Sequence, residues 1–113
     1  MKKRRRTHPI DRLYKRIASR RKANPEKSYT ARLLKRGVAQ CAKKLGEESV
    51  EAALAAVSKN KRALRGESAD VLYHLLVVWA ATGVKPKEVY AELARRERQS
   101  GLTEKASRDS RDY

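Results

Sequence analysis

Glu47, Glu48 and Glu51, then Glu67 and Asp70, set five carboxylates in the order E-E-x-x-E, fifteen residues, E-x-x-D. Residues three and four apart are neighbours on a helix surface, and like charges there repel. The grouping weakens a helix unless something positive neutralises it. Two helices packed with these faces opposed would form an all-oxygen pocket, the donor set that hard divalent cations such as Mg²⁺ prefer. Metal-bound carboxylates in a positive surround can hold a polyphosphate and activate a water for attack on phosphorus. Five acids leave room for two or more ions.

The elements must bring these acids together. At about 100° per residue, Glu51 lies between Glu47 and Glu48 on the helix wheel, so all three share one sector. Glu67 and Asp70 stand one turn apart on the next helical segment. A short connection around Lys59-Asn60 makes the two helices antiparallel neighbours. Glu51 is eight residues before Lys59 and Glu67 eight after it, which sets them at the same height. The competing reading is a solvated face with salt bridges. Lys43 and Lys44 do precede Glu47 and Glu48 by four, but in the less favourable order of base before acid. Acids interspersed with Ala, Val and Leu favour partial burial, where unpaired carboxylates are costly. Lys44, one turn before Glu48, is placed to meet a phosphate oxygen. His74, one turn after Asp70, suits a ribose contact or a supporting role behind the ligands, and suits an ordinary buried histidine equally well. Tyr29 either contacts substrate or fastens the start of its helix.

Helical periodicity runs through most of the chain. Ile10, Leu13, Tyr14 and Ile17 recur at helical spacing from Pro9 to about Ala23, and Asn24-Pro25 stops that element. Ser28-Tyr29-Thr30 leads into a short helix over 31–36, broken by Gly37. A long helix runs from Val38 to about Ser58, with Val38, Cys41, Ala42, Leu45, Ala52 or Ala53, Ala56 and Val57 as its apolar stripe. Asn60 ends it and caps a second long helix, Lys61–Thr82, closed by Gly83. Lys85-Pro86 opens a last helix to about Arg96. No internal repeat or β-alternation is evident. The expected fold is all-α, a bundle of four to five helices. Residues 1–8 read as a basic tail, 9–100 as the domain and 101–113 as a polar tail.

The chain has 113 residues, enough for one domain with a small core, and no Phe. A core this thin favours an oligomer that shares it between subunits. Lys and Arg number 29 against 13 Asp and Glu, a formal charge of +16. The excess draws anions: nucleic acid, a membrane surface or a polyphosphorylated small molecule. The run Lys2–Arg6 reads as a solvated tail, with a nucleic-acid tether as the sharper alternative. Cys41 is the sole cysteine, which excludes an intramolecular disulfide and fits a reducing compartment. The apolar stretch 71–81 is too short to span a bilayer, and no secretory signal is expected at the basic start. The expected location is the cytoplasm. No Gly-rich phosphate loop, zinc-type Cys/His set or Ser-His-Asp arrangement stands out.

Three segments carry a family resemblance: Ser28-Tyr29-Thr30-Ala31-Arg32-Leu33-Leu34, residues 44–52 (KLGEESVEA), and residues 67–77 (ESADVLYHLLV). With the segment 89–96 they make the chain similar to phosphoribosyl-ATP pyrophosphatases, within the all-α MazG-like nucleotide pyrophosphatase superfamily. The resemblance spans roughly residues 10–108. It implies Mg²⁺-dependent hydrolysis of 1-(5-phosphoribosyl)-ATP to phosphoribosyl-AMP and pyrophosphate, the second step of histidine biosynthesis, by a homodimer. It also implies metal ligation by Glu48, Glu51, Glu67 and Asp70. Glu47 is then a further ligand or orients the attacking water, with Lys44 and His74 as weaker catalytic carry-overs. The basic run Lys2–Arg6 departs from the family pattern. Some relatives are fused to the cyclohydrolase of the next step, for which this chain has no room, so a stand-alone enzyme is expected.

Two other functions compete. A house-cleaning nucleoside triphosphate pyrophosphatase uses the same fold, and a panel of dNTPs separates it from the first reading. A non-enzymatic nucleic-acid binder draws on the positive charge, but the acidic cluster repels phosphate without a metal, so nucleic acid ranks last as a partner.

Overall fold

The computed structural model describes residues 7–99. The expected tails, 1–8 and 101–113, lie mostly outside that range, as does the Lys2–Arg6 run. Five α-helices make up the described chain: α1 (Pro9–Ser19), α2 (Tyr29–Arg36), α3 (Val38–Val57), α4 (Lys61–Thr82) and α5 (Pro86–Glu97). No strand occurs among the described residues. The chain divides into two compact units between Gly83 and Val84. The first holds α1 to α4; the second holds α5.

Local chemistry sets the helix ends. His8 caps α1, its Nδ1 accepting from the Ile10 N–H at 3.1 Å, with Pro9 at the first helical position. The α-helical hydrogen bonding of α1 stops at Ser19, four residues short of the expected Ala23. Arg20–Lys22 continue as a single 3-10 turn, the tighter form in which helices commonly finish. Ser28 caps α2 through the Ala31 N–H at 3.1 Å, which starts that helix at Tyr29, two residues earlier than the apolar spacing indicated. Gly37, at φ +96°, separates α2 from α3 with one residue. Asn60 caps α4 by accepting from the Ala63 N–H at 3.0 Å. Gly83, left-handed at φ +85°, closes α4 as expected.

The turn between α3 and α4 is held by crossed hydrogen bonds. The Lys59 N–H donates to the Ala56 carbonyl at 3.0 Å and the Asn60 N–H to the Ala55 carbonyl at 3.2 Å. Lys59 sits at φ +58°, where a side chain is strained. This turn folds α4 back along α3, and the two helices form the most extensive pairing in the first unit.

Ile17, Leu33, Cys41, Leu76, Val77 and Ala80 form the buried centre. On α4, Tyr73, Leu76, Val77 and Ala80 recur at the spacing of one helix face. Truncating a side chain as enclosed as Leu76 to Ala costs about 2–5 kcal/mol. The inner face of α3 differs from the stripe expected from sequence. It runs through Cys41, Leu45, Glu48, Ala52 and Ala55, while Ala42, Ala53 and Ala56 are exposed and Val57 is 80% exposed. Small alanines occur all round α3, so hydrophobicity alone marks no unique face. Val50 and Leu54, with Val57, make a second, solvent-facing apolar stripe on the same helix.

α5 is capped by the Glu88 carboxylate, which accepts from the Lys85 N–H at 2.8 Å. Its last turns carry a fork in which Arg95 and Arg96 both donate to Glu92. Among the described residues, no helix is long and apolar enough to cross a membrane.

Candidate metal centre

The Lys59 turn sets Glu48 of α3 against Glu67 and Asp70 of α4. Each of these three offers a carboxylate oxygen, and the three atoms lie within 4.8 Å of one another. Glu48 and Glu67 are half-buried; Asp70 is exposed. Partial burial pushes the Glu67 carboxyl above its ordinary value, and the charges of Asp70, Glu48 and Glu51 push it the same way. Among the described residues, no Lys or Arg pairs with Glu67, Asp70 or Glu51.

Glu51 and Glu47 stand at the margin. Glu51 is exposed and outside the tight group, although its charge reaches Glu67. Glu47 lies about 100° round the helix from Glu48. Its carboxylate reaches Lys44 Nζ at 3.5 Å, while Lys44 also approaches Glu48 at 3.9 Å. The base-before-acid spacing thus does form contacts, with Lys44 bridging the two glutamates. That pairing leaves the α4 acids uncompensated.

His74 is buried, at 6% exposure, one turn beyond Asp70. Its Nδ1 lies 2.9 Å from the Asp70 carbonyl, which only accepts, so Nδ1 carries a proton. In the neutral ring Nε2 is then an acceptor, and the Tyr29 hydroxyl lies 3.5 Å from it. Tyr73 meets the imidazole edge-on, ring centroids 4.9 Å apart, and hydrogen-bonds Thr30 on α2. Burial pushes the Tyr73 phenol above its ordinary value. Sequence reasoning gave Tyr73 and Thr30 no role. Their signal was the Ser-Tyr-Thr segment and the Tyr-His pair, which become one cluster only when α2 packs across α4.

The donor set suits a divalent cation. All the converging atoms are carboxylate oxygens, the hard ligands of Mg²⁺ and Ca²⁺, and the raised Glu67 registers a charge excess that a cation relieves. An antiparallel helical hairpin with E-E-x-x-E on one arm and E-x-x-D on the other defines an all-α, MazG-like class of protein. The family model described as phosphoribosyl-ATP pyrophosphohydrolase matches residues 10–97, and the chain belongs to that family. A phosphoribosyl-ATP pyrophosphatase of Granulibacter bethesdensis is 57% identical over 99 residues, 88% of this chain and 62% of the relative. The proteins of that name from Paramagnetospirillum magneticum and Parvibaculum lavamentivorans are 57% and 56% identical, over 91% and 94% of their own lengths. The chain therefore spans less than two thirds of the first of these relatives and nearly all of the other two.

Proposed function

We propose that this chain hydrolyses 1-(5-phosphoribosyl)-ATP to 1-(5-phosphoribosyl)-AMP and pyrophosphate, serving histidine biosynthesis in the cytoplasm. The observation that carries the reading is the convergence of Glu48, Glu67 and Asp70 within 4.8 Å, in a chain matched by that family from residue 10 to 97. Residues 9–100 form the catalytic domain, flanked by the basic segment 1–8 and the polar segment 101–113.

Glu48, Glu51, Glu67 and Asp70 hold Mg²⁺, which supplies charge neutralisation for the phosphate chain and a more acidic water. Glu47, at the margin of the cluster, orients that water or adds a ligand. Lys44 bridges Glu47 and Glu48 and is placed to turn toward a phosphate oxygen as negative charge arrives. His74 supports the Asp70 turn from behind. Water adds at phosphorus, the bridge between the α- and β-phosphates opens, and pyrophosphate leaves.

The working unit is a homodimer. Its support is the exposed stripe Val50, Leu54 and Val57 beside a thin core, since a face this apolar is costly in water. Pyrophosphate release from phosphoribosyl-ATP, with and without Mg²⁺, tests the activity. Glu51→Gln is expected to lower turnover about 10–100-fold. Equal turnover in both proteins removes the assignment, and faster release from any dNTP transfers it to a house-cleaning pyrophosphatase.

A further inference from the structure

Tyr29 stands out among the aromatic residues around the carboxylates. It occupies the first position of α2, directly after the Ser28 cap, so its backbone is fixed. Its hydroxyl is aimed at His74 Nε2, whose acceptor state is set by the Nδ1–H on the Asp70 carbonyl. Its ring lies near-parallel to Tyr73, at 22° and 6.3 Å between centroids. Beside these neighbours, Tyr29 remains 46% exposed. His74, its neighbour, is buried, and Tyr73 is half-buried.

The position of this ring is as informative as its exposure. His74 is one turn, about 5–6 Å of helix, beyond Asp70. The Tyr29 centroid lies 6.3 Å from the imidazole centroid. A nucleotide whose phosphates lie on the carboxylates carries its base one ribose away, and Tyr29 is the exposed ring linked to Asp70 through His74. Exposed, rigidly held aromatic rings are the usual platforms for bases, because every base offers a π-face.

We infer that Tyr29 is the stacking platform for the purine ring of the substrate. This deepens the proposed function and rests on it for the position of the phosphates. Recognition is thereby divided: the carboxylates take the phosphate chain through the metal, and α2 takes the base. Tyr29 is a binding residue.

The test compares two probes in Mg²⁺ by titration calorimetry on the full chain. The α,β-methylene analogue of ATP carries the base and resists cleavage; inorganic tripolyphosphate carries the phosphates alone. Tyr29→Leu is expected to weaken the analogue about tenfold, within the usual worth of one base stack, and to leave tripolyphosphate within about twofold. Tyr29→Trp and Tyr29→Phe keep a ring and are expected to hold the analogue within about threefold. Circular dichroism shows whether each variant is folded, and the ring-bearing pair carries the test if the Leu variant is not. Equal weakening of both probes, no weakening of either, or a Phe or Trp variant as poor as Leu overturns the stack. Wild type binding tripolyphosphate as tightly as the analogue overturns it too, while leaving the carboxylate site intact. Wild type binding neither probe overturns both readings. Binding of the analogue without hydrolysis of phosphoribosyl-ATP removes the proposed activity alone.

Discussion

Partial burial, and then three other carboxylates, raise the proton affinity of Glu67, so its charge is a liability that a bound cation would offset. Glu67→Gln is expected to raise the melting temperature in EDTA and to abolish the rise that millimolar Mg²⁺ is expected to give wild type; parallel thermal melts check both. A Gln variant that still gains from Mg²⁺ places the ion elsewhere. Glu92 shows the opposite case. Hydrogen bonds from Arg95 and Arg96 hold its carboxyl at about 2, below the ordinary 4.5. Because the folded value is lowered, the stabilisation is complete above pH 4.5 and disappears as pH falls through about 2. Exposure keeps its contribution to stability small. The measurable outcome is the titration itself: a carboxyl resonance with its midpoint near 2 that moves up toward the ordinary value in the Arg95→Gln, Arg96→Gln double variant. The acids of α3 and α4 were legible in the sequence because helix spacing and a short connection fix which carboxylates can meet. Rotation about the α3 axis makes Glu48, rather than Glu51, the α3 member of the tight group.

At the scale of elements, the α3–α4 hairpin depends on a three-residue connection whose middle residue is Lys59 rather than glycine. The left-handed backbone costs a lysine more than a glycine. Lys59→Gly is expected to stabilise the protein by about 0.5–1 kcal/mol, read as a higher denaturant midpoint with an unchanged slope. The reverse applies at Gly37, where any side chain meets a positive φ although space is open; Gly37→Ala is expected to destabilise by about 1 kcal/mol or more. Both long helices and their caps at Asn60 and Gly83 were readable, since Asn, Gly and Pro act locally. The inner face of α3 was not. Alanine tolerates either environment, so Ala42, Ala52, Ala53 and Ala56 carried no directional signal, and only packing against α4 selects among them.

For the molecule as a whole, the exposed Val50, Leu54 and Val57 lie on the side of α3 that the monomer does not use. In the proposed homodimer a second copy covers that side, and wild type is then expected to run as a dimer in size-exclusion chromatography with light scattering. The Val50→Lys, Leu54→Lys double variant is expected to run as a monomer and to melt lower; a variant that remains dimeric moves the interface off this stripe. The small core pointed to an oligomer in the sequence, but the exposed stripe of α3 was legible only once packing had turned Cys41 and Ala55 inward.

Cys41 gives the molecule an internal clock. Its thiol is fully enclosed, donates to the Leu33 carbonyl of α2 at 3.3 Å, and is held above its ordinary proton affinity by burial. A disulfide reagent cannot reach it until α2 lifts from the hairpin. The labelling rate of this single sulfur therefore counts how often that short helix opens. Ligands that engage Tyr29 on the same helix should slow the count in proportion to their grip.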